Sequence, residues 1–120
     1  MFAAAYRGEE EIVLLLLDQG ANIHAVGGTF GTALAAAAAG GEERVVLLLL
    51  ERGADINAVG GICGTALGVA AYRGKKKIVL LLLNQGAYIN MVGGEYGTVS
   101  GAAAAAGEEG MVTLLLDTGH

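Results

Sequence analysis

Bulky side chains, sulfur and positive charge are all scarce in this sequence. Four Tyr, two Phe and no Trp stand among 120 residues, so the 54% that is hydrophobic is mostly Ala, Leu and Val. Side chains this small suit close backbone packing more than a bulky globular core. The single cysteine, Cys63, cannot close a disulfide within the chain, which fits a reducing compartment, cytosol or nucleus. Seven Lys and Arg against twelve Asp and Glu leave a formal charge of −5. That balance argues against gripping a phosphate backbone, so no nucleic-acid partner is expected. No basic segment runs into an apolar stretch and cleavage site, so no secretory leader is evident. A membrane span is missing too. Residues 21–41 carry no charge but include Asn22, His24, two Thr and five Gly, and the leucine runs lie outside that window.

What is present is a period. "IVLLLLDQGANIHAVGG" (12–28) falls on "VVLLLLERGADINAVGG" (45–61), on "IVLLLLNQGAYINMVGG" (78–94) and partly on "MVTLLLDTGH" (111–120). Between them stand "GTALAAAAAG" (31–40), "GTALGVAAYR" (64–73) and "GTVSGAAAAA" (97–106). Gly20, Gly53, Gly86 and Gly119 hold a 33-residue register without insertion. Such a period marks stacked supersecondary units, none able to bury its apolar face alone.

Each unit reads as two helices. The first is capped by Thr32, Thr65 or Thr98 and runs through alanines. The second starts near a charged triplet and ends at a glycine able to turn left-handed. At 3.6 residues per turn, Ile12, Val13, Leu16 and Leu17 cover one face. The leucine runs are therefore buried two-turn helices. The fold class is all-α, a solenoid of about 3.7 units filling 1–120 as one array: 1–28 (partial), 29–61, 62–94 and 95–120.

These units resemble the ankyrin repeat, whose pattern pairs a T-P-L-H-x-A helix start with I-V-x-L-L-L-x-x-G-A-x-x-N. Thr32, Leu34, Ala37 and Ala38 match the first half; Val45, Val46, Leu48, Leu49, Leu50, Gly53, Ala54 and Asn57 match the second. The Gly-Gly-x-x-Gly-Thr-Ala-Leu spelling is similar to arrays in fungal multidomain proteins. Departures are the family's proline, replaced by Ala33, Ala66 and Val99, and its histidine, replaced by Ala35, Gly68 and Gly101. The chain starts and stops within units without polar caps, as expected of a piece of a longer array or of one whose ends are covered.

No catalytic, metal or cofactor site is expected. His24 and His120 are far apart, with no ligand spacing around them. His24 occupies the turn position of Asn57 and Asn90, and Cys63 reads as a half-exposed filler at the position of Phe30 and Tyr96. The glycine clusters lack a phosphate-loop Lys. Paired glutamates at helix starts answer the macrodipole and need no acid–base role.

What remains is a surface. The resemblance implies a non-enzymatic scaffold that holds a partner protein in a concave groove formed by turn tips and first helices. Mapped residue by residue, that groove carries Tyr6, Arg7, Phe30, Ile62, Tyr72, Arg73, Glu95 and Tyr96. Tyr and Arg favour interface centres, although packing of each tyrosine on its neighbour is an equally good expectation. Units one and three read "AAYRG" where two and four carry only Ala and Gly, a 66-residue superperiod. Charges by unit run −3, −2, +4 and −4. Lys75, Lys76 and Lys77 open a helix against its dipole, so pairing with Glu42, Glu43, Glu108 and Glu109 on the flanking units is the expected compensation; an acidic partner is the sharper reading.

The alternative function is self-assembly into oligomers or filaments. Leu14, Leu47 and Leu80 take a position that is polar in the family and should align as an outer apolar stripe. The repeat ends offer a second contact. Covering about 500 Å² there gives roughly 12 kcal/mol of gross transfer energy, against association costs of about 4–15 kcal/mol.

Overall fold

The computed structural model describes residues 1–118; the register glycine Gly119 and His120, for which no ligand role is expected, lie outside the described residues. Helices α1 (Phe2–Arg7), α3 (Ala33–Gly40), α5 (Ala66–Tyr72) and α7 (Val99–Ala105) are the first members of the units. Helices α2 (Glu10–Asp18), α4 (Glu43–Glu51), α6 (Lys76–Asn84) and α8 (Glu109–Thr118) are the second. They stack into an all-helical rod 41 × 23 × 20 Å, the solenoid expected from the period.

The local signals act as their chemistry dictates. Thr32, Thr65 and Thr98 are N-caps whose Oγ1 accepts from Ala35, Gly68 and Gly101 amides at 3.0, 3.0 and 2.9 Å. Each satisfies a donor that the first turn leaves free. The family's proline and histidine are thus dispensable for capping here. At the other end, Gly53 (φ 92°) donates to Leu50 while Ala54 donates to Leu49. The same double bond recurs at Gly20 and Gly86, a Schellman closure that places the glycine one residue past the helical cap.

Alanine lets the first helices approach closely. Ala33 to Ala39 are all buried, as are Ala66, Leu67, Val69, Ala70 and Ala71. Behind them lies a second layer of Val45, Val46, Leu49, Ile78, Val79, Leu82, Met111 and Leu115. The turn tips add a third connection. The Ile62 amide donates to the Thr29 carbonyl at 3.1 Å, and the Glu95 amide to the Ile62 carbonyl at 2.7 Å. One backbone bond per step thus ties each tip to the next.

The face expected from helical spacing is corrected at its edge. Ile12 is 44% exposed, although its counterparts Val45, Ile78 and Met111 are at most 1% exposed. This position packs against the preceding unit, and no described unit precedes α2. Leu116 is 61% exposed for the converse reason, since its counterparts Leu50 and Leu83 are partly buried against the following unit.

Candidate functional site: the aromatic groove

The superperiod seen in the sequence becomes a side-chain cluster. Tyr6 at the end of α1 stacks on Phe30 of the next tip, ring centres 5.6 Å apart and nearly parallel at 8°. Tyr72, 66 residues on, stacks on Tyr96 at 5.1 Å and 14°. Arg73 reaches back across unit two to the first pair. Its Nη2 donates to the Tyr6 hydroxyl at 2.8 Å, and its guanidinium carbon lies 5.7 and 5.9 Å from the Tyr6 and Phe30 ring centres. Such a cation over aromatic faces contributes about 0.5–1 kcal/mol where solvent reaches it.

Unit two carries the small residues Ala39 and Gly40 at the positions of Tyr6–Arg7 and Tyr72–Arg73. A Cβ at Gly40 would run into the backbone carbonyl of Tyr6. Gly40, the counterpart of Arg7 and Arg73, therefore leaves room for the main chain at the end of α1 to approach closely. Beside it, Phe2, Tyr6, Arg7, Thr29, Phe30 and Ala36 line a groove of about 370 Å³.

The remaining expected residues distribute as follows. Arg7 and Glu95 are exposed. Ile62 is half-buried and spends its backbone on the tip ladder. Cys63, expected half-exposed, is buried, because the next tip closes over it: a Cβ at Gly94 would meet the Cys63 carbonyl carbon at 2.7 Å. Burial, and then the Glu95 charge, push its thiol up, with Arg73 partly opposing. A protonated thiol is a poor nucleophile. His24 is exposed in a turn whose amide bonds to Asn22 Oδ1.

Among the described residues the ion pairs within 4 Å are Arg44–Glu10 at 3.8 Å and Arg52–Asp18 at 3.2 Å. The lysine triplet forms none of the contacts expected of it. The Lys75 stem instead packs over Gly41, as Glu42 does over Gly8 and Glu108 over Gly74, and Lys76 extends toward Gly110. Charges of alternating sign therefore lie along one row at more than contact distance. Changing all three lysines to Glu should lower stability by less than about 1 kcal/mol, because losing the flanking attraction is offset by a better helix start. Urea unfolding at low and high salt checks this; the difference should shrink in salt.

Leu47 and Leu80 are 41% and 49% exposed, whereas Leu14 is half-buried. A stripe that sequence reasoning passed over is Val26, Val59 and Val92, exposed beside the tips. Its signal was the valine before each Gly-Gly, at the same 33-residue spacing.

Tyr96 has the most displaced proton. A hydrogen bond to the Tyr72 side chain, then partial desolvation and neighbouring negative groups, push its phenol from 10.0 up to about 12. Since the folded state holds this proton more tightly, its stabilisation is complete below pH 10 and is lost as pH rises toward 12. Ultraviolet difference absorbance should show one phenol ionising late, and Tyr72→Phe should bring it back toward 10.

Two family models match the chain: one for ankyrin repeats in many copies, over residues 34–83, and one for the single ankyrin repeat, over residues 1–28. The chain belongs to the ankyrin repeat family. No curated protein matched it. Ankyrin repeats generally mediate protein–protein interaction, and proteins built of them are typically non-enzymatic scaffolds. Among the described residues of this ankyrin array, no helix is long and apolar enough to cross a membrane, and no three metal-ligating side chains cluster.

Proposed function

We propose that this ankyrin array is an intracellular, non-catalytic scaffold that holds a partner protein against the aromatic groove. One observation carries the reading. Tyr6, Phe30 and Arg73, brought from three units into one cluster, adjoin an open groove lined by the same tyrosine and phenylalanine. Preordered aromatics lose little conformational freedom on binding and are the side chains that anchor interfaces. Tyr6→Ala and Arg73→Ala should each weaken capture of a protein partner from native extract about ten-fold, with helical circular dichroism unchanged. Partner retention by both variants at the parent level would assign binding to another face.

The exposure of Leu47 and Leu80 favours self-assembly as a second reading. Light scattering at rising concentration should then show growth that salt promotes, because the acidic first and last units repel each other, and that Leu47→Lys suppresses. A concentration-independent monomer dismisses it.

A further inference from the structure

The outward face of the second helices carries a charge pattern that is its own complement. α4 and α6 have described helices on both sides, so the exposure of Leu47 and Leu80 belongs to the face itself. At about 100° per residue, each of these leucines falls between the two charged residues three and four positions before it. Side-chain contacts fix which charge lies on which side. Arg44 leans toward unit one and bridges Glu10 at 3.8 Å. Glu43 leans toward unit three and shares a surface hollow with Lys77 and Leu80. Lys76 reaches on toward Gly110 of unit four. Along the stack the charges therefore run Glu11, Glu10, Arg44, Glu43, Lys77, Lys76, with Leu14, Leu47 and Leu80 centred in the successive helices. Taken from the other end, every sign is reversed.

We propose that two copies of this chain pair through this face, about a two-fold axis lying along α4. The inference rests on the self-assembly reading, to which it gives a face, a register and a closed form. Such an axis inverts the order of the units and keeps all helix starts at one edge. Glu11 then faces Lys76 of the second copy, Glu10 faces Lys77 and Arg44 faces Glu43, each contact occurring twice. Leu14 faces Leu80, and Leu47 meets itself at the centre. An axis along the stack would instead set Lys76 and Lys77 against the neutral Asn84 and Gln85. A foreign acidic segment would answer the two lysines but be repelled by Glu10 and Glu11. Units one to three overlap on a rod of 41 × 23 × 20 Å, which places the interface near the low end of the specific range, about 1,200 Å² in all. Glu51 lies close to the axis, meets its own copy and opposes the pairing, so the dimer is weak.

Sedimentation equilibrium of the full chain at low salt should fit a monomer and a dimer with Kd about 10–100 µM. High salt should weaken the dimer about ten-fold, the opposite of its effect on contact between like-charged ends. A charge swap decides the register. The double variants Lys76→Glu/Lys77→Glu and Glu10→Lys/Glu11→Lys should each raise Kd about ten-fold or more, because like charges then meet at both flanks. Mixed in equal amounts, the two should recover the parent Kd, since their heterodimer restores opposite signs at both flanks. Circular dichroism of each variant reports that the fold persists. Dimers as tight in either variant as in the parent, or a mixture no tighter than its components, would overturn the proposal. Particles that grow past the dimer and are promoted by salt would overturn it too, while leaving self-assembly standing through another contact. A parent that stays monomeric at about 1 mM and low salt removes both.

Discussion

Leu49→Ala should cost the array about 3–5 kcal/mol, measured by urea unfolding, with its counterpart Leu16→Ala costing about half as much. Leu49 is 0% exposed, between Val45 and Val46 of its own helix and the layer continued by Ile78, Val79 and Leu82. Removing a fully buried leucine forfeits its transfer energy and leaves a cavity that its neighbours fill only in part; such changes cost about 2–5 kcal/mol. The upper range applies because the facing helix α3 is alanine apart from Leu34, with few long side chains to swing into the gap. Leu16 takes the same position in unit one but is only half-buried, so less is lost. The consequence for the whole molecule is greater than the number suggests. In a stack where each unit touches only its neighbours, stability is a sum of unit and interface contributions. A domain of this size has about 5–15 kcal/mol in all. A weakened second unit should separate the outer ones, and the single transition should broaden or split. An equal loss for Leu16 and Leu49 would mean that the stack does not distinguish its ends from its middle.

The layering that makes Leu49 sensitive was legible because periodicity is additive. One helix of nine residues says little, but Val13, Val46 and Val79 in register fix the buried face, and Thr32, Thr65 and Thr98 fix the starts. Side-chain reach was not legible, since it depends on what neighbouring units leave empty. The bond from Arg73 to Tyr6 spans 67 residues, a relation that no local pattern encodes. Cys63 was misjudged for a similar reason. Its counterparts Phe30 and Tyr96 are large and stay half-exposed, whereas a small side chain sinks beneath the next tip. The lysine triplet shows the limit of charge counting. Position placed Lys75 between Glu42 and Glu108, but the stems pack along glycines, and the charged heads do not come into contact. The exposure of Ile12 depends on which neighbour each edge of the leucine helix faces, and composition carries no direction along the stack.

The tips lead to the second large effect. Gly64→Ala should destabilise the protein by about 3 kcal/mol or more, whereas Gly53→Ala should cost only about 1–2 kcal/mol. Both glycines have left-handed backbone, φ 83° and 92°, so alanine at either position pays for the conformation alone, about 1–2 kcal/mol. Their surroundings differ. A Cβ on Gly53 would meet nothing within 4 Å, but a Cβ on Gly64 would sit 2.7 Å from the carbonyl carbon and oxygen of Gly93. Gly93 is backbone from the next tip, so no flexible side chain can yield. Relief requires the third and fourth units to move apart, which strains the Glu95-to-Ile62 bond at 2.7 Å and the Gly60-to-Gly64 closure of the tip. That separation would also carry Tyr96 off Tyr72. Gly64→Ala should therefore lower the late-titrating phenol toward 10 while it lowers stability, and Gly53→Ala should leave that phenol near 12. Equal stability losses in the two variants, with the phenol unmoved in both, would show that the tips tolerate an extra methyl group and that the close backbone approach does not hold the units in register.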